Sequence, residues 1–458
     1  MRKHVVIIPR SGTIQRIVVL LLLMLITVTG PGCGPVQPPS VGEVPVDPEP
    51  KDPPVPGGEQ PVPAIRWDNQ QVDMQRLEKA IQLATDYMVQ ACDEEGRFDY
   101  LGHLDPEVKI YPEYNVVRHA GAMMGLAVAH QFKPRKAVRE ALLRADRFLK
   151  QHCLGPVEDQ PNMLAVWSRP EVTFVKREVR AKLGSAGLSL VSLAQLEAIA
   201  PGTTSREDLR KLATFILFMQ KTDGSFYAYY VPSKGGRVES ADAMYFAGEA
   251  ALGLLMLYTL DPDPRWLESA GKAMRYLAIS QVDKIPAYPD QWVLQAVARW
   301  LPWIEKTSLE SSRGQIMKHA VRICQDMLAD QGALKQDPRI AGCFARAGIT
   351  CSTGTCLEGL LGALESLPDE QRLLKQQIGK GATAGVHFLL KSQVRHGPYA
   401  GAWTFITPLL SPDDDRLSAT YRTQAEEVRI DYVQHPLCAL IRYHQLQQKG
   451  ILSPSPEP

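Results

Sequence analysis

The sequence predicts an all-α fold, an (α/α)6 toroid in which six hairpins of alternating outer and inner helices close into a ring. Two observations predict it. Helical periodicity runs through nearly the whole chain after residue 66, and the helices alternate between an amphipathic kind and a kind that is apolar on every side. A helix that is apolar all round must be buried all round, so the amphipathic helices must surround the apolar ones. A few short β-hairpins are expected in the long loops.

The predicted outer helices are amphipathic. In KAVREALLRADRFLKQH, the apolar Val138, Leu142, Ala145 and Leu149 recur at helical spacing while Arg144 and the other charged residues lie elsewhere. The outer helices are expected at 72–91, 136–153, 205–221, 264–281, 313–330 and 369–393.

The predicted inner helices carry apolar or small residues on all sides. Examples are AGAMMGLAVA (120–129), GLSLVSLAQL (187–196) and AALGLLML (250–257). The inner helices are expected at 115–131, 183–200, 241–260, 289–305, 351–366 and 432–446.

A faint internal repeat supports this architecture. Four stretches, YMVQACDEEGRFDY, FILFMQKTDGSFYAYY, YLAISQVDKIPAY and FLLKSQVRHGPYAGAW, each close an outer helix with a glutamine, which a turn and aromatic residues then follow in most cases. Repeating helix pairs bury their faces by stacking on neighbours, which indicates either a closed ring or an open solenoid.

Loop lengths give the ring two different ends. Links from an inner helix to the next outer one are short, such as FKPR and DPDP, whereas links from an outer helix to its inner partner are mostly long. Long loops in a compact domain usually serve function. They gather at the N-terminal ends of the six inner helices, the end of the ring that we call the mouth.

The first 33 residues are typical of a lipoprotein signal peptide. A basic start leads into the apolar run 17–26, which is too short to span a bilayer, and Gly32 precedes Cys33 as in a bacterial lipoprotein cleavage box. We expect lipidation at Cys33, export, and a membrane-anchored protein that faces the periplasm or the cell surface. The expected domains are the signal peptide 1–33, a proline-rich disordered tether 34–66, the toroid 67–447 and a disordered tail 448–458.

Composition restricts the partners. Of 458 residues, 45% are hydrophobic and the formal net charge is +1. Near-neutrality argues against a nucleic-acid partner, which would favour a basic face.

Seven cysteines follow Cys33, an odd number, and most lie in apolar helical stretches that are typical of buried thiols. No cofactor and no metal are expected.

Polar residues gather in the first two turns of the inner helices. In EEVRIDYVQHPLCALIRYH, Asp431, Gln434 and His435 precede a buried run. Pro436 favours a helix start near Val433, because proline is tolerated only in the first turn of a helix. Other inner helices repeat the pattern, and in a ring these groups would meet in one central pocket. The candidate catalytic residues are Glu249, His435, Asp431, His119 and Tyr245. The candidate substrate-binding residues are Asn115, Arg118, Glu358, Arg429, Gln434, Asp290, Tyr227 and Trp292.

Structural roles compete with functional ones at these positions. Asp242 and similar residues at helix starts are ordinary caps, and Arg429 with Asp431 could be an ion pair that closes the ring. Glu249 and Glu358 are harder to explain in this way, because each is expected inside an apolar helix beyond the capping turn. A carboxylate there needs a partner or a raised pKa.

Six helical hairpins with a polar mouth resemble the six-hairpin glycosidase and sugar-epimerase toroids, which include the N-acylglucosamine 2-epimerases and the helical domains of polysaccharide lyases. This resemblance implies a carbohydrate-active enzyme. The DGSF turn at 223–226 resembles instead the terpenoid-cyclase and prenyltransferase toroids. Their aspartate-rich signature is not found in a matching context, because PDDDR at 412–416 lies in a proline-flanked loop.

Three function classes remain open. The first is an enzyme that acts on an uronic-acid or amino-sugar glycan as a hydrolase, lyase or epimerase, with Arg118 and Arg429 holding a carboxylate and the candidate catalytic residues moving protons. The second is a non-catalytic toroid that binds a glycan or a protein at the cell surface. The third is a cyclase-like enzyme, or a zinc enzyme that uses Cys343, Cys351 or Cys356, whose spacing fits no familiar zinc pattern. The oligomeric state stays open.

Overall fold

The computed structural model describes residues 71–240, 243–284 and 286–452. These residues contain fourteen α-helices and seven β-strands. The expected signal peptide, the tether, Asp242 and the last six residues of the expected tail lie outside the described residues. None of the helices in the described part is both long enough and apolar enough to cross a membrane.

The six outer helices begin and end within a few residues of the predicted positions. They are α1 (Met74–Gln90), α3 (Lys136–Phe148), α6 (Arg206–Met219), α8 (Pro264–Ser280), α10 (Arg313–Gly332) and α12 (Arg372–Ser392). Side-chain caps begin several of them, such as Asp73 in front of α1 and Ser205 in front of α6. Each buries one face and exposes the other, as their amphipathic sequences predict.

The six inner helices form the core. They are α2 (Val116–Phe132), α5 (Leu183–Ile199), α7 (Phe246–Leu260), α9 (Gln291–Trp300), α11 (Thr350–Leu364) and α14 (Ile430–Gln448). In α5 every residue from Leu183 to Leu196 is buried. Each inner helix packs against the next, and α14 packs against α2, so the ring is closed. The predicted toroid is thereby confirmed, and the open solenoid is not found.

One inner helix begins later than predicted. The start of α7 is Phe246 and not residue 241, with Tyr245 in the N-cap position. Glu249 therefore lies in the first turn of its helix, and the expectation that it lies beyond that turn is wrong. The apolar pattern could not locate this boundary because Met244, Tyr245 and Phe246 continue it on the N-terminal side.

The last inner helix begins earlier than predicted. It starts at Ile430 and carries Pro436 in its interior, so the start near Val433 is wrong. Proline in a helix removes one hydrogen bond and crowds the preceding turn. Packing compensates here, because α11 presents Gly354, where a Cβ atom would lie 2.7 Å from Cδ of Pro436.

The long loops contain more β-structure than isolated hairpins. An antiparallel five-stranded sheet has the order β2-β3-β4-β5-β6, and β1 pairs with β7. The strands are β1 (Leu101–His103), β2 (Leu154–Val157), β3 (Gln160–Ser168), β4 (Arg180–Lys182), β5 (Tyr229–Val231), β6 (Gly236–Val238) and β7 (Glu427–Arg429). Two short helices, α4 (Pro170–Thr173) and α13 (Ala419–Gln424), complete the loops. The strands β4 and β7 run directly into α5 and α14 and so fix where those inner helices begin.

The sequence repeat has a structural role in the outer layer. Nε2 of Gln220, at the end of α6, donates to Gly224 O in its own turn (3.2 Å) and to Ser269 O of the next outer helix (2.9 Å). Nε2 of Gln393, at the end of α12, likewise donates to Gly401 O (3.0 Å) and to Ala80 O of α1 (2.9 Å). This glutamine bridge links consecutive outer helices, and the bridge from α12 to α1 closes the ring.

The bridge recurs at a glutamine that the repeat did not include. Nε2 of Gln331 donates to Gly342 O (2.8 Å) and to Gly381 O of α12 (2.9 Å). Gln90, which the repeat did include, is exposed, and its side chain makes no hydrogen bond within the described residues. Arg144 of α3 takes its place by donating to the carbonyls of Cys92 and Asp93.

Candidate active site

A network of charged residues lies at the mouth, where the first and last inner helices meet. Asp431 accepts from Nε of Arg118 (3.0 Å) and from Nε (2.6 Å) and Nη2 (3.0 Å) of Arg429. Arg118 also donates to the hydroxyl of Tyr100, which comes from the first long loop. The side chain of Arg118 is 29% exposed and that of Arg429 is 20% exposed, so both are partly buried.

Asp431 stays ionised in this network. Burial alone would raise the pKa of its carboxyl, but Arg118 and Arg429 outweigh burial and hold that pKa well below its usual range. The three side chains together carry one net positive charge, from two cations and one anion. The guanidinium atoms that Asp431 and Tyr100 leave unoccupied are Nη2 of Arg118 and Nη1 of Arg429, and these make no hydrogen bond within the described residues.

A histidine–carboxylate pair lies deeper in the ring. Nδ1 of His435 is 2.5 Å from Oε2 of Glu358 on the neighbouring helix α11, and both side chains are nearly buried. An ionised carboxylate can only accept, so Nδ1 then carries the proton and Nε2 is left with its lone pair. The ring of Trp292 on α9 lies beside the imidazole, with 5.8 Å between centroids. The pair has the arrangement of a general base held in one tautomer by a carboxylate.

Glu249 on α7 provides the opposite function, a carboxyl that keeps its proton. Burial and Asp290 raise the pKa of Glu249, Lys182 and Arg118 lower it, and the net result is a pKa of about 8. Its Oε2 has no hydrogen-bond partner within the described residues. The carboxyl faces Gly184 in the first turn of α5, where a Cβ atom would lie 2.1 Å from Oε2. At neutral pH this group is a proton donor within reach of cations.

Asp290 and Lys182 surround Glu249. Oδ1 of Asp290 caps α9 by accepting from the N–H groups of Trp292 (3.0 Å) and Val293 (3.1 Å), while Oδ2 is buried without a partner. Burial raises the pKa of Asp290 to about 7, although the two N–H groups oppose this. Burial, Arg180 and Arg118 lower the pKa of the Lys182 ammonium to about 8. Three groups that exchange protons near neutral pH therefore share one region.

Sequence reasoning missed Lys182, although a signal for it was present. Lys182 immediately precedes the apolar helix α5 at the end of the short strand β4, just as Arg429 precedes α14 at the end of β7. Only Arg429 is among the candidate site residues that the sequence predicts. Tyr288 was also missed, and its ring packs against that of Tyr245 with 5.0 Å between centroids. Burial and Tyr288 raise the pKa of Tyr245 well above its usual range, so its hydroxyl keeps its proton.

The structure brings most of the predicted site residues to this end of the ring. The charge of Arg118 acts on Glu249, and the charges of Arg118, Arg429, Asp431 and Glu358 all act on Cys351. Asn115 is there as the cap of α2, with Oδ1 accepting from Val117 N (3.0 Å). Gln434 lies within the core against α2, because a Cβ atom on Gly121 would be 3.0 Å from its Oε1.

Two predicted residues do not join the cluster. His119 points outward, with Nδ1 2.7 Å from the Tyr114 hydroxyl and Nε2 3.0 Å from Ala145 O of the outer helix α3. These contacts join α2 to α3 and give His119 a structural role. Burial lowers its pKa to about 4, so the imidazole ring is neutral at neutral pH. Tyr227 lies in the turn after α6, beneath the side chains of Lys221 and Arg237. Helical spacing could not tell the inward face of α2 from its outward face, because both are buried.

The cysteines and the 412–416 loop, which suggested a zinc enzyme or a cyclase-like enzyme, make other contacts. All seven cysteines in the described part of the chain are unpaired thiols, and no three potential metal ligands of that part converge. In the 412–416 loop, Asp414 is paired with Arg416 (2.8 Å) and Arg339 (3.3 Å) at the surface.

No protein-family model matches the sequence, and no curated protein sequence matches it. Solved structures do. Cellobiose 2-epimerase from Spirochaeta thermophila is 15% identical, with a TM-score of 0.56 over 82% of this chain and 97% of that chain. The α-1,6-mannanase GH76A of Salegentibacter sp. HEL1_6 is 10% identical, with a TM-score of 0.52 over 81% and 99%.

A possible member of the GH105 family from Salmonella enterica is 12% identical, with a TM-score of 0.51 over 84% of this chain and 98% of that chain. Each neighbour aligns over nearly its entire length, so the likeness extends to the whole ring and not to a few hairpins. At identities this low the likeness concerns architecture. In fold, the chain is an (α/α)6 toroid, similar to those of this epimerase and this mannanase.

Proposed function

We propose that this protein is a carbohydrate-active enzyme that acts by acid–base catalysis at the mouth of the toroid. One observation carries the proposal: a carboxyl that keeps its proton, Glu249, and a histidine held by a carboxylate, His435 with Glu358, lie at the same end of the ring. Such a pair supplies a proton donor and a proton acceptor at one pH. The solved neighbours named for epimerase and mannanase activity support the choice of a sugar substrate.

In the proposed mechanism Glu249 donates a proton and Nε2 of His435 accepts one. Glu358 positions the imidazole and touches no reacting atom. Trp292 lies beside His435 and is only 2% exposed, so it helps to hold the imidazole in place and presents no free face to a sugar. The phenol of Tyr245, which keeps its proton, can donate a hydrogen bond to a substrate oxygen.

The substrate class that we propose is a glycan with a carboxylate, of the uronic-acid or acidic amino-sugar type. Arg118, Arg429 and Lys182 provide three cations, and the carboxylates of Asp431 and Glu358 offset two of them. Glu249 is mainly protonated at neutral pH and does not cancel this excess. The N-termini of the inner helices also face the mouth and favour negative charge.

The test is a panel of matched oligosaccharides that contain uronic acids or acidic amino sugars, each paired with its carboxyl-reduced form. Products are followed by mass, by ultraviolet absorbance and by deuterium uptake from heavy water. A gain of one water per cut identifies hydrolysis, new absorbance identifies elimination, and deuterium uptake at unchanged connectivity identifies epimerisation. Turnover of the acidic member and not of its reduced form is the expected result, and equal turnover of both would contradict the substrate class.

A second candidate is a non-catalytic toroid that binds a glycan. The specific observation in its favour is that Asp431 already engages both arginines of the mouth, as in a structural ion network. Saturable binding of an acidic oligosaccharide without any product, abolished by Arg118→Ala, would favour this function over catalysis.

We propose in addition that the protein is exported and held at a membrane by a lipid on Cys33. The support is the sequence alone: a basic start, a short apolar run and a small residue before the cysteine. A proline-rich tether after Cys33 would let the toroid reach glycans away from the membrane surface.

A further inference from the structure

A cavity of about 280 Å³ lies at the end of the ring opposite the mouth. All six inner helices line it, and each does so mainly with its C-terminal half, as Met124 of α2 and Met256 of α7 illustrate. We call it the rear chamber. Its inner wall includes Met124, Leu252 and Gln295, which are buried, and its rim includes Gln131 and Gln445, which are exposed. The chamber is therefore open to solvent on the side of the short loops.

Two glutamines of the chamber wall lack partners. Gln195 on α5 is 8% exposed and Gln295 on α9 is 7% exposed. Oε1 of Gln195 and Nε2 of Gln295 make no hydrogen bond within the described residues. A buried polar group without a partner costs about 1–3 kcal/mol, and native proteins rarely leave such groups unsatisfied. The other polar atom of each amide, Nε2 of Gln195 and Oε1 of Gln295, also makes no hydrogen bond within the described residues and is not fully buried, so one donor and one acceptor are left for a guest.

Arg299, close to the C-terminus of α9, provides further donors. Its Nη1 lies 3.4 Å from Gln295 O, and no carboxylate of the described residues is within ion-pair distance of it. The nearby Glu365 is already taken by Arg442 and Lys449. The remaining N–H groups of the Arg299 guanidinium are available to a guest.

The helix orientation selects the charge of the guest. All six inner helices end around the chamber, and the C-terminal end of a helix carries a partial negative charge. Arg299, which has no paired carboxylate within the described residues, offsets this field, so the chamber favours a guest without net charge. Hydroxyl groups, which donate and accept, match a wall of amides and a guanidinium. Methionine, valine and leucine side chains between them suit the C–H groups of a sugar.

We propose that the rear chamber binds a neutral, hydroxyl-rich molecule of monosaccharide size, independently of the mouth. Its volume of about 280 Å³ lies just below the usual range for ligand pockets, which is about 300–1,000 Å³, and so suits a small guest. Glu358 lines the chamber and also holds His435, so one side chain forms the partition between the two sites. The proposal does not depend on catalysis at the mouth.

The experiment titrates the full chain with glucose, mannose, xylose and sorbitol, and with glucuronate as the anionic counterpart of glucose, by calorimetry. Binding of at least one neutral probe with one equivalent per chain is expected, with a lower affinity for glucuronate. No binding of any neutral probe would mean that the chamber holds only water, and would overturn the proposal.

Variants locate the site. Gln295→Leu should raise the Kd of the neutral probe at least tenfold, and Met256→Trp, which fills the space, should abolish binding. Since Nε2 of Gln295 has no partner to lose, Gln295→Leu should unfold at the same temperature as the wild type. Arg118→Ala at the mouth and Gln90→Leu on the outer surface serve as controls and should bind unchanged. Loss of binding in Arg118→Ala but not in Gln295→Leu would place the sugar at the mouth and contradict the proposal.

Discussion

His435 and Glu358 come from neighbouring inner helices, and Nδ1 of the imidazole lies 2.5 Å from Oε2 of the carboxylate. The two side chains are 11% and 4% exposed, so neither is hydrated as it would be at the surface. A histidine in such a setting is held in one orientation and one tautomer. This relationship is the feature of the mouth that catalysis would use most directly.

Replacement of this pair tests its role. His435→Asn should lower kcat on the acidic glycan about a hundredfold, the scale of a lost general base, with a small change in KM. Glu358→Gln should lower kcat less, and the double variant should be no worse than His435→Asn alone, because Glu358 acts through the imidazole. Steady-state kinetics with melting temperatures measures this. Glu140→Gln, on the exposed face of α3, is the control; strictly additive losses would show that Glu358 acts independently.

Glu249 predicts a pH dependence of stability. Its pKa rises from 4.5 to about 8 on folding, so between these values the folded protein binds more protons than the unfolded chain. The free energy of unfolding should therefore fall as pH rises from about 5 to 8, by up to about 1.4 kcal/mol per pH unit from this group. Urea unfolding at several pH values should give a shallower slope for Glu249→Gln. Parallel slopes would mean that Glu249 titrates normally.

The Asp431 network should be important for stability. Asp431→Asn leaves two partly buried guanidinium groups without their carboxylate, and we expect a loss of about 3 kcal/mol in the free energy of unfolding. The matched control is Asp369→Asn, which removes a fully exposed partner of Lys375 and should change little. Chemical denaturation of both variants gives the comparison. Equal effects at the two positions would contradict a structural role for the network.

The glutamine bridge can be tested at equivalent positions. Gln393→Leu removes both donors from the carbonyls of Ala80 and Gly401 in a buried setting, and should destabilise the protein by about 2–4 kcal/mol. Gln90→Leu changes the glutamine at the corresponding place in the first repeat, which is exposed, and should be near neutral. If both variants have the same melting temperature, the repeat has no role in joining the outer helices.

Anchoring makes a separate prediction. Cys33→Ala should transfer the protein from the membrane fraction to the soluble fraction, because the acceptor of the lipid is lost. Fractionation followed by immunoblotting measures this, with Cys92→Ala, a buried thiol of the toroid, as the control. Continued membrane association of Cys33→Ala would exclude the lipid anchor.

Periodicity predicted the architecture because an inner helix such as α5 is buried on all sides and must be apolar throughout. The exact starts of the helices could not be predicted from local sequence, because they depend on contacts between residues that are far apart in the chain. Pro436, for example, packs against Gly354 of another helix, where a side chain would leave it no room. The expected signal peptide and tether at the N-terminus, by contrast, lie outside the described residues, and their predicted roles stay predictions.

The candidate site was predicted in part for a related reason. Polar residues at the starts of buried helices do gather at the mouth, as Asp431 and His435 illustrate. The same rule selected His119, whose face of α2 is equally buried but turned to α3. It could not foresee the rear chamber, since Gln195 and Gln295 are isolated amides in apolar helices and become a wall only when the ring closes.

The bridge from Gln393 to Ala80 joins residues 313 positions apart in the chain. During synthesis α1 therefore emerges long before α12, the outer helix to which this bridge joins it, has been made. At roughly ten residues per second the wait is roughly half a minute. Throughout that time the first hairpin carries an uncovered apolar flank, which is a hazard for aggregation. The closed ring thus leaves its first-made hairpin prone to aggregation until the last one has been made.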